Sequence, residues 1–213
     1  MIFIKLFEDF NNLDPLYKIA KGNDYNTFLD KTDSLVYNYN ILYRGSSEYD
    51  RVLFNECFMT DYIGHAREYG EDIDGILYDK NDLIYFDNYT FNELREYFED
   101  FEDLDKIIKE VYEPYFKKYG VDTIEINDNI ISVEKFVYIF LRKNINFKNA
   151  CKNCKVSDAL VPIMLYYAKK KNKNIISFLG SDYQLYGGAD EYVVNDVSRY
   201  ITLKDIWTKS NKK

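Results

Sequence analysis

Strand-like runs stand on both sides of a long helical stretch, and this arrangement limits the chain to few architectures. Before the stretch, Leu35 to Tyr43 alternates apolar and polar positions in its first half. Glu56 to Met59, Ile73 to Tyr78 and Leu83 to Phe86 are short aromatic or β-branched runs. After it, strand character returns at Asn174 to Leu179, at Glu191 to Val194 and, as an edge, at Tyr200 to Leu203. Strands, then helices, then strands again is read as an α+β fold with a mainly antiparallel sheet. The expected organisation is a single domain over residues 1–213, with 90–171 a mainly helical insertion.

The local signals are specific enough to be checked. Asp79-Lys80-Asn81-Asp82 separates two strand-like runs and predicts a hairpin. Asp61 is placed to cap the helix that follows it. Thr90 and Glu93 have capping-box spacing, and Leu94, Phe98, Phe101, Leu104, Ile108, Val111 and Tyr115 recur in steps of three and four. That spacing predicts one long amphipathic helix, kinked near Pro114. A second helix is expected over 133–143, capped by Ser132. A third is expected over about 157–171, with Pro162 in its first turn. The segment up to about Asp33 is helix-capable but shows no assignable pattern.

Composition narrows the function classes. A chain of 213 residues, 46% hydrophobic and 18% aromatic, can bury a real core and is not disordered. Twenty-two tyrosines imply a core built from rings with phenolic edges. A formal charge of −8 disfavours nucleic-acid binding through phosphate contacts, and Lys169, Lys170, Lys171 and Lys173 read as a helix C-terminus. Three cysteines, an odd number, argue against a disulfide framework. No signal peptide or spanning segment is evident, which together suggests a cytoplasmic protein. Cys151-x-x-Cys154 finds only Cys57 and the single His65 as further zinc ligands, so no metal is expected. Gly187-Gly188 lacks the Lys-Ser/Thr of a phosphate loop, and no GxGxxG occurs.

Three separated pieces can carry chemistry. Arg44-Gly45 closes an apolar strand: a guanidinium is a planar fork for phosphate or ribose oxygens, and a glycine allows close approach to backbone. Phe58 and Tyr69 flank a strand-turn-helix unit, where two rings could sandwich a flat heterocycle. Glu191 opens the late strand EYVV, where a carboxylate can bind ribose hydroxyls or stabilise an oxocarbenium-like centre. Taken singly, each is an ordinary surface arginine, core aromatic or solvated strand end; only their order lifts them above that.

The segments YRGSS, FMTDYIGHAREYG and GADEYVVNDVSRYI resemble the three motif regions of the ADP-ribosyltransferase superfamily. Phe-x-Thr-Asp, four residues, Ala, two residues, Tyr is similar to the diphtheria-toxin-type segment, whereas Arg44 is nearer the Arg-Ser-Glu branch. The resemblance covers about fifty residues and implies an ADP-ribosyltransferase-like split sheet and NAD as co-substrate. It gives Arg44 the NAD ribose or phosphate, Gly45 the nicotinamide amide through its backbone, Phe58 and Tyr69 the nicotinamide ring, and Thr60 the support of ribose and carboxylate. Glu191 becomes the catalytic acid that binds the ribose 2′-hydroxyl. The second glutamate of arginine-modifying members is replaced by Ala189. The implied activity is mono-ADP-ribosylation of a macromolecule, protein favoured, as in bacterial, phage or viral effectors. Two alternatives remain open: an NAD glycohydrolase-type toxin using the same pocket, and a degenerate transferase fold acting as a binding or inhibitory protein.

Overall fold

The computed structural model describes residues 13–46, 57–126, 129–142, 154–178 and 191–212. Cys151, Tyr183, Gln184, Gly187, Gly188 and Ala189 lie outside the described residues. In chain order the elements begin with α1 (Asp14–Ala20), α2 (Tyr25–Asp33), α3 (Val36–Tyr39), β1 (Ile41–Ser46), β2 (Cys57–Thr60), α4 (Ile63–Glu68) and β3 (Asp72–Leu77). They continue with β4 (Leu83–Phe86), α5 (Asn88–Glu99), α6 (Leu104–Tyr119), β5 (Thr123–Ile126), β6 (Asn129–Ser132), α7 (Val133–Arg142) and α8 (Cys154–Lys170). The last are β7 (Ile175–Phe178), β8 (Glu191–Val194), β9 (Ile201–Thr202) and α9 (Leu203–Asn211). Helix and sheet are mixed, and every strand pair described below is antiparallel except β4 with β7.

The chain divides into two compact units, the first gathering the described residues of 1–48, 57–81 and 196–213 and the second those of 82–195. In the first unit the strands run β2-β1-β3-β9. Ile41 pairs with Leu77 and Ser46 with Asp72 at the two ends of the β1–β3 ladder, while Tyr43 meets Thr60 on β2. Alternation along β1 turns Ile41 and Tyr43 into a core with Leu16, Phe28, Leu29, Ala66, Leu203 and Ile206. That core needs α1, α2, α4 and α9 to close it. Two of these helices come from the segment before Asp33, where the sequence shows no clear periodicity. The Tyr43 hydroxyl, fully buried, donates to Thr32 Oγ1 at 2.9 Å, because the Thr32 hydroxyl itself donates to the Leu29 carbonyl. Burial raises the Tyr43 phenol far above its ordinary range, so it remains a donor and fixes β1 to α2.

In the second unit β7 lies between β4 and β8, and β5 and β6 form a separate two-stranded ladder. Phe86, Phe91, Phe140 and Tyr167 are buried together in tilted and edge-on ring contacts.

Five local expectations are corrected. Leu35 to Tyr43, read as one strand, is helix α3 over Val36–Tyr39, and Asn40, in the left-handed region at φ 47°, separates it from β1, which begins only at Ile41. The runs around Asp79–Asp82 form no hairpin: β3 pairs with β1 and β9, β4 pairs in parallel with β7, and the turn is a 3-10 segment over Lys80–Asp82. The single long helix is two helices, broken at residues 100–103, with Pro114 inside the second. The Arg142 guanidinium binds the carbonyls of Glu99 and Phe101 at 2.9 and 3.0 Å and so satisfies the broken end. The cap of α5 is Asp87, accepting from the Thr90 amide at 2.8 Å, not Thr90 itself. Pro162 stands mid-helix in α8, because that helix begins at Cys154.

Candidate active site

Five of the six residues singled out from sequence belong to the first unit, and Glu191 opens β8 in the second. The Tyr43–Thr60 pairing brings the first two motif regions onto adjacent strands. Thr60 is buried, and its Oγ1 accepts the Tyr62 amide at 3.2 Å. Helix α4 starts at Ile63 with Tyr62 as its cap residue, whose side chain makes no cap hydrogen bond, and the Thr60 hydroxyl accepts the Tyr62 amide as the chain enters it.

Gly45 is in closer contact with α4 than any side chain would permit. A Cβ there would stand 1.8 Å from the Ala66 carbonyl oxygen and 3.2 Å from the Gly70 nitrogen. The open approach expected for a ligand is taken on that side by the backbone of α4. Gly45 is thus the point where the first motif locks onto the second.

Alternation places the side chains further. Gly45 follows Tyr43 on the α4 side, and Thr60, opposite Tyr43, shares that side, as does Phe58 two residues earlier. Arg44 turns to the other face, with Leu42, so the guanidinium and the Thr60 hydroxyl leave the strand pair on opposite sides. Across the β1–β3 ladder Arg44 stands opposite Asp74. Asp74 Oδ1 accepts from the Tyr25 hydroxyl and from the Gly75 amide, each at 2.7 Å. Burial, followed by the Asp74 charge, pushes the Tyr25 phenol far up, which keeps it a donor.

Tyr69 ends α4 and is 38% exposed, a ring surface that fits stacking by a flat group. Its orientation is set by an edge-on contact with His65, ring centres 5.1 Å apart. His65 Nδ1 in turn lies 3.0 Å from Glu68 Oε2. The only histidine is therefore buried as a support for Tyr69. Sequence reading gave it no role, although its position one turn before Tyr69 on a helix was the available signal.

In the second unit Glu191 is half-buried and pairs with Phe178 on β7. Three buried residues follow it on the strand, Tyr192, Val193 and Val194. The turn after β8 is held by Asp196, whose Oδ1 accepts from the Ser198 amide and hydroxyl at 3.0 and 2.6 Å. Among the described residues no group of three or more His, Cys, Asp or Glu side chains is placed to hold a metal, and no helix is long and apolar enough to cross a membrane. Compared with protein-family models, curated proteins and solved structures, the chain matches none.

Proposed function

We propose that this chain is an NAD-dependent mono-ADP-ribosyltransferase of the split-sheet type, acting on a macromolecular acceptor, with protein favoured. The observation that carries the reading is the meeting of two motif regions that are separate in sequence: Tyr43 pairs with Thr60, and Gly45 seats directly on α4. On this reading the Tyr69 and Phe58 rings hold nicotinamide and the Thr60 hydroxyl serves the ribose side, whereas Arg44, which leaves the strand pair on the other face opposite Asp74, stands apart from that ligand. Glu191 binds the ribose 2′-hydroxyl and stabilises positive charge at C1′.

The chemistry asked of these groups is modest. The bond between C1′ and the nicotinamide nitrogen breaks, and its electron pair neutralises the pyridinium cation of the leaving group. An oxocarbenium-like C1′ is then captured by the acceptor's lone pair, and the acceptor's proton is lost. Positioning and one fixed negative charge are sufficient contributions.

Glu191→Gln keeps the shape and removes the charge. The expected result is a fall of at least ~10²-fold in nicotinamide release from NAD, the scale of removing one preorganised electrostatic contact. Turnover close to that of the unaltered chain would sink the assignment. Label from NAD appearing on macromolecules supports transfer. Label accumulating only as free ADP-ribose identifies a glycohydrolase, and absence of any turnover leaves the binding or inhibitory protein.

A further inference from the structure

Along α6, Ile108 and Tyr112 are buried, while the stripe beside them, Ile107, Val111 and Tyr115, is only half-buried. On α8 the buried Pro162 and Leu165 and the half-buried Tyr166 recur at spacings that keep them on one helix face. The two stripes line one pocket of about 240 Å³, whose residues all belong to the second unit. Its walls are fixed before anything enters. Proline has no rotamers to lose, and the Tyr166 ring is held by Phe98, ring centres 6.1 Å apart, and by the Lys170 ammonium, 5.0 Å from its centre. Glu110, Lys169 and Asn195, all exposed, line the same pocket. Glu110 and Lys169 carry opposite charges there and yet do not pair with each other. The ion pair of α6 joins Lys117 to Glu113, and among the described residues neither the Glu110 nor the Lys169 side chain has a hydrogen bond or ion pair.

We propose that this pocket binds a free α-amino acid with a large apolar side chain, such as leucine or phenylalanine. The ligand's ammonium meets Glu110, its carboxylate meets Lys169, and its side chain lies on Ile107, Val111, Pro162 and Leu165. A single charge at the rim would attract any counter-ion. Two opposite charges that leave each other unpaired are complementary to a zwitterion, which joins them, and the apolar floor selects a zwitterion with a hydrophobic body. A volume below the ~300–1,000 Å³ usual for drug-sized ligands suits one amino acid and not a dinucleotide. None of these residues is assigned to NAD, so the proposal goes beyond the transferase reading and does not rest on it.

Calorimetric titration of the full-length chain with leucine and with phenylalanine, in the absence of NAD, is the test. Saturable binding with a dissociation constant at or below ~1 mM is expected, as suits so small a ligand. Leucinamide lacks the carboxylate and isocaproate lacks the ammonium; each is expected to bind at least ~10-fold more weakly than leucine, the scale of one lost charged contact. Glycine, without the apolar body, should fall by a similar factor. Two variants assign the ends. Glu110→Gln should lose the preference for leucine over isocaproate and keep that over leucinamide. Lys169→Met should do the reverse. Both side chains are exposed, so neither change disturbs the core. No saturation up to ~10 mM of either amino acid would overturn the proposal. Equal affinity for leucine and either analogue, or variants that keep both preferences, would overturn it as well. Nicotinamide release is not read, so a failure here leaves the transferase reading standing, and the converse holds.

Discussion

Gly45 and Tyr112 show how single residues carry their surroundings. At Gly45 the missing side chain makes room for the Ala66 carbonyl, which a methyl group would approach to 1.8 Å. The atoms it would meet are all backbone, of Ala66 in α4 and of Gly70 in the turn after it, so the clash has no flexible side chain to absorb it. Gly45→Ala is expected to destabilise the protein by more than ~2 kcal/mol, within the range for overpacking a close contact, in the absence of any ligand. A urea midpoint unchanged from that of the unaltered chain would show that α4 can move away. Tyr112 is the buried counterpart: its hydroxyl donates to the Ala159 carbonyl at 2.6 Å, three residues before Pro162 in α8. Burial holds this phenol far above its ordinary pKa. Tyr112→Phe leaves the ring packing intact and removes the donor from a dry site. The expected cost is about 1–3 kcal/mol, read as a lowered urea midpoint with an unchanged slope.

Elements were easier to recognise than their limits or their partners. Aromatic and β-branched runs found β3, β4, β7 and β8, because such runs are local properties of a strand. The alternation in Leu35 to Tyr43 falls largely on helix α3, and only the end of that run belongs to β1. Pairing is not local: β3 and β4 flank a good turn sequence, yet each finds its partner in a different part of the chain. In α5 two capping candidates stand three residues apart, and Asp87 prevails over Thr90 because its carboxylate takes the Thr90 amide. That hydrogen bond, the largest cause, holds the Asp87 carboxyl below its ordinary range. A folded pKa lower than the unfolded one gives stability that is complete above about pH 4, the ordinary aspartate value, and is lost as pH falls through the lower folded value. Asp87→Asn, which still caps, should match the unaltered chain near neutral pH and lack this part of the acid-side loss. Asp87→Ala should lose about 1 kcal/mol at neutral pH, the usual worth of a cap. Thermal melts of the three proteins between pH 3 and pH 7 would show whether the curves converge as expected or stay parallel.

At the scale of the whole molecule, the largest part that could not be read from the sequence is what closes the first unit. Helix α9 is short and polar, with Leu203 and Ile206 buried and Trp207 partly so against distant residues; nothing within Leu203–Asn211 announces that role. The reasons it packs lie elsewhere. Leu203 rests over Gly75 on β3, where a Cβ would stand only 2.7 Å from its Cδ1. The Trp207 indole donates to the Asn23 carbonyl at 2.9 Å, and Lys204 lies 4.0 Å from the centre of the Tyr25 ring. Asn211 closes the circuit, donating to the Ala20 carbonyl at 2.9 Å and accepting the Gly22 amide at 3.0 Å. The candidate site depends on the same frame, because β1, which carries Arg44 and Gly45, shares its core with α9. Trp207→Ala removes a large ring and an indole donor at once, and about 3–5 kcal/mol is the usual cost of such a truncation where the ring is buried. Trp207 is only partly buried, so the lower end of that range is expected. Hydrogen exchange is the informative measurement. Protection should fall together in α1, α2, β1 and β3, the elements whose core α9 covers, while α6 and α8 keep theirs. A loss confined to α9 would mean that the helix is an appendage, and that the frame around Arg44 and Gly45 stands without it.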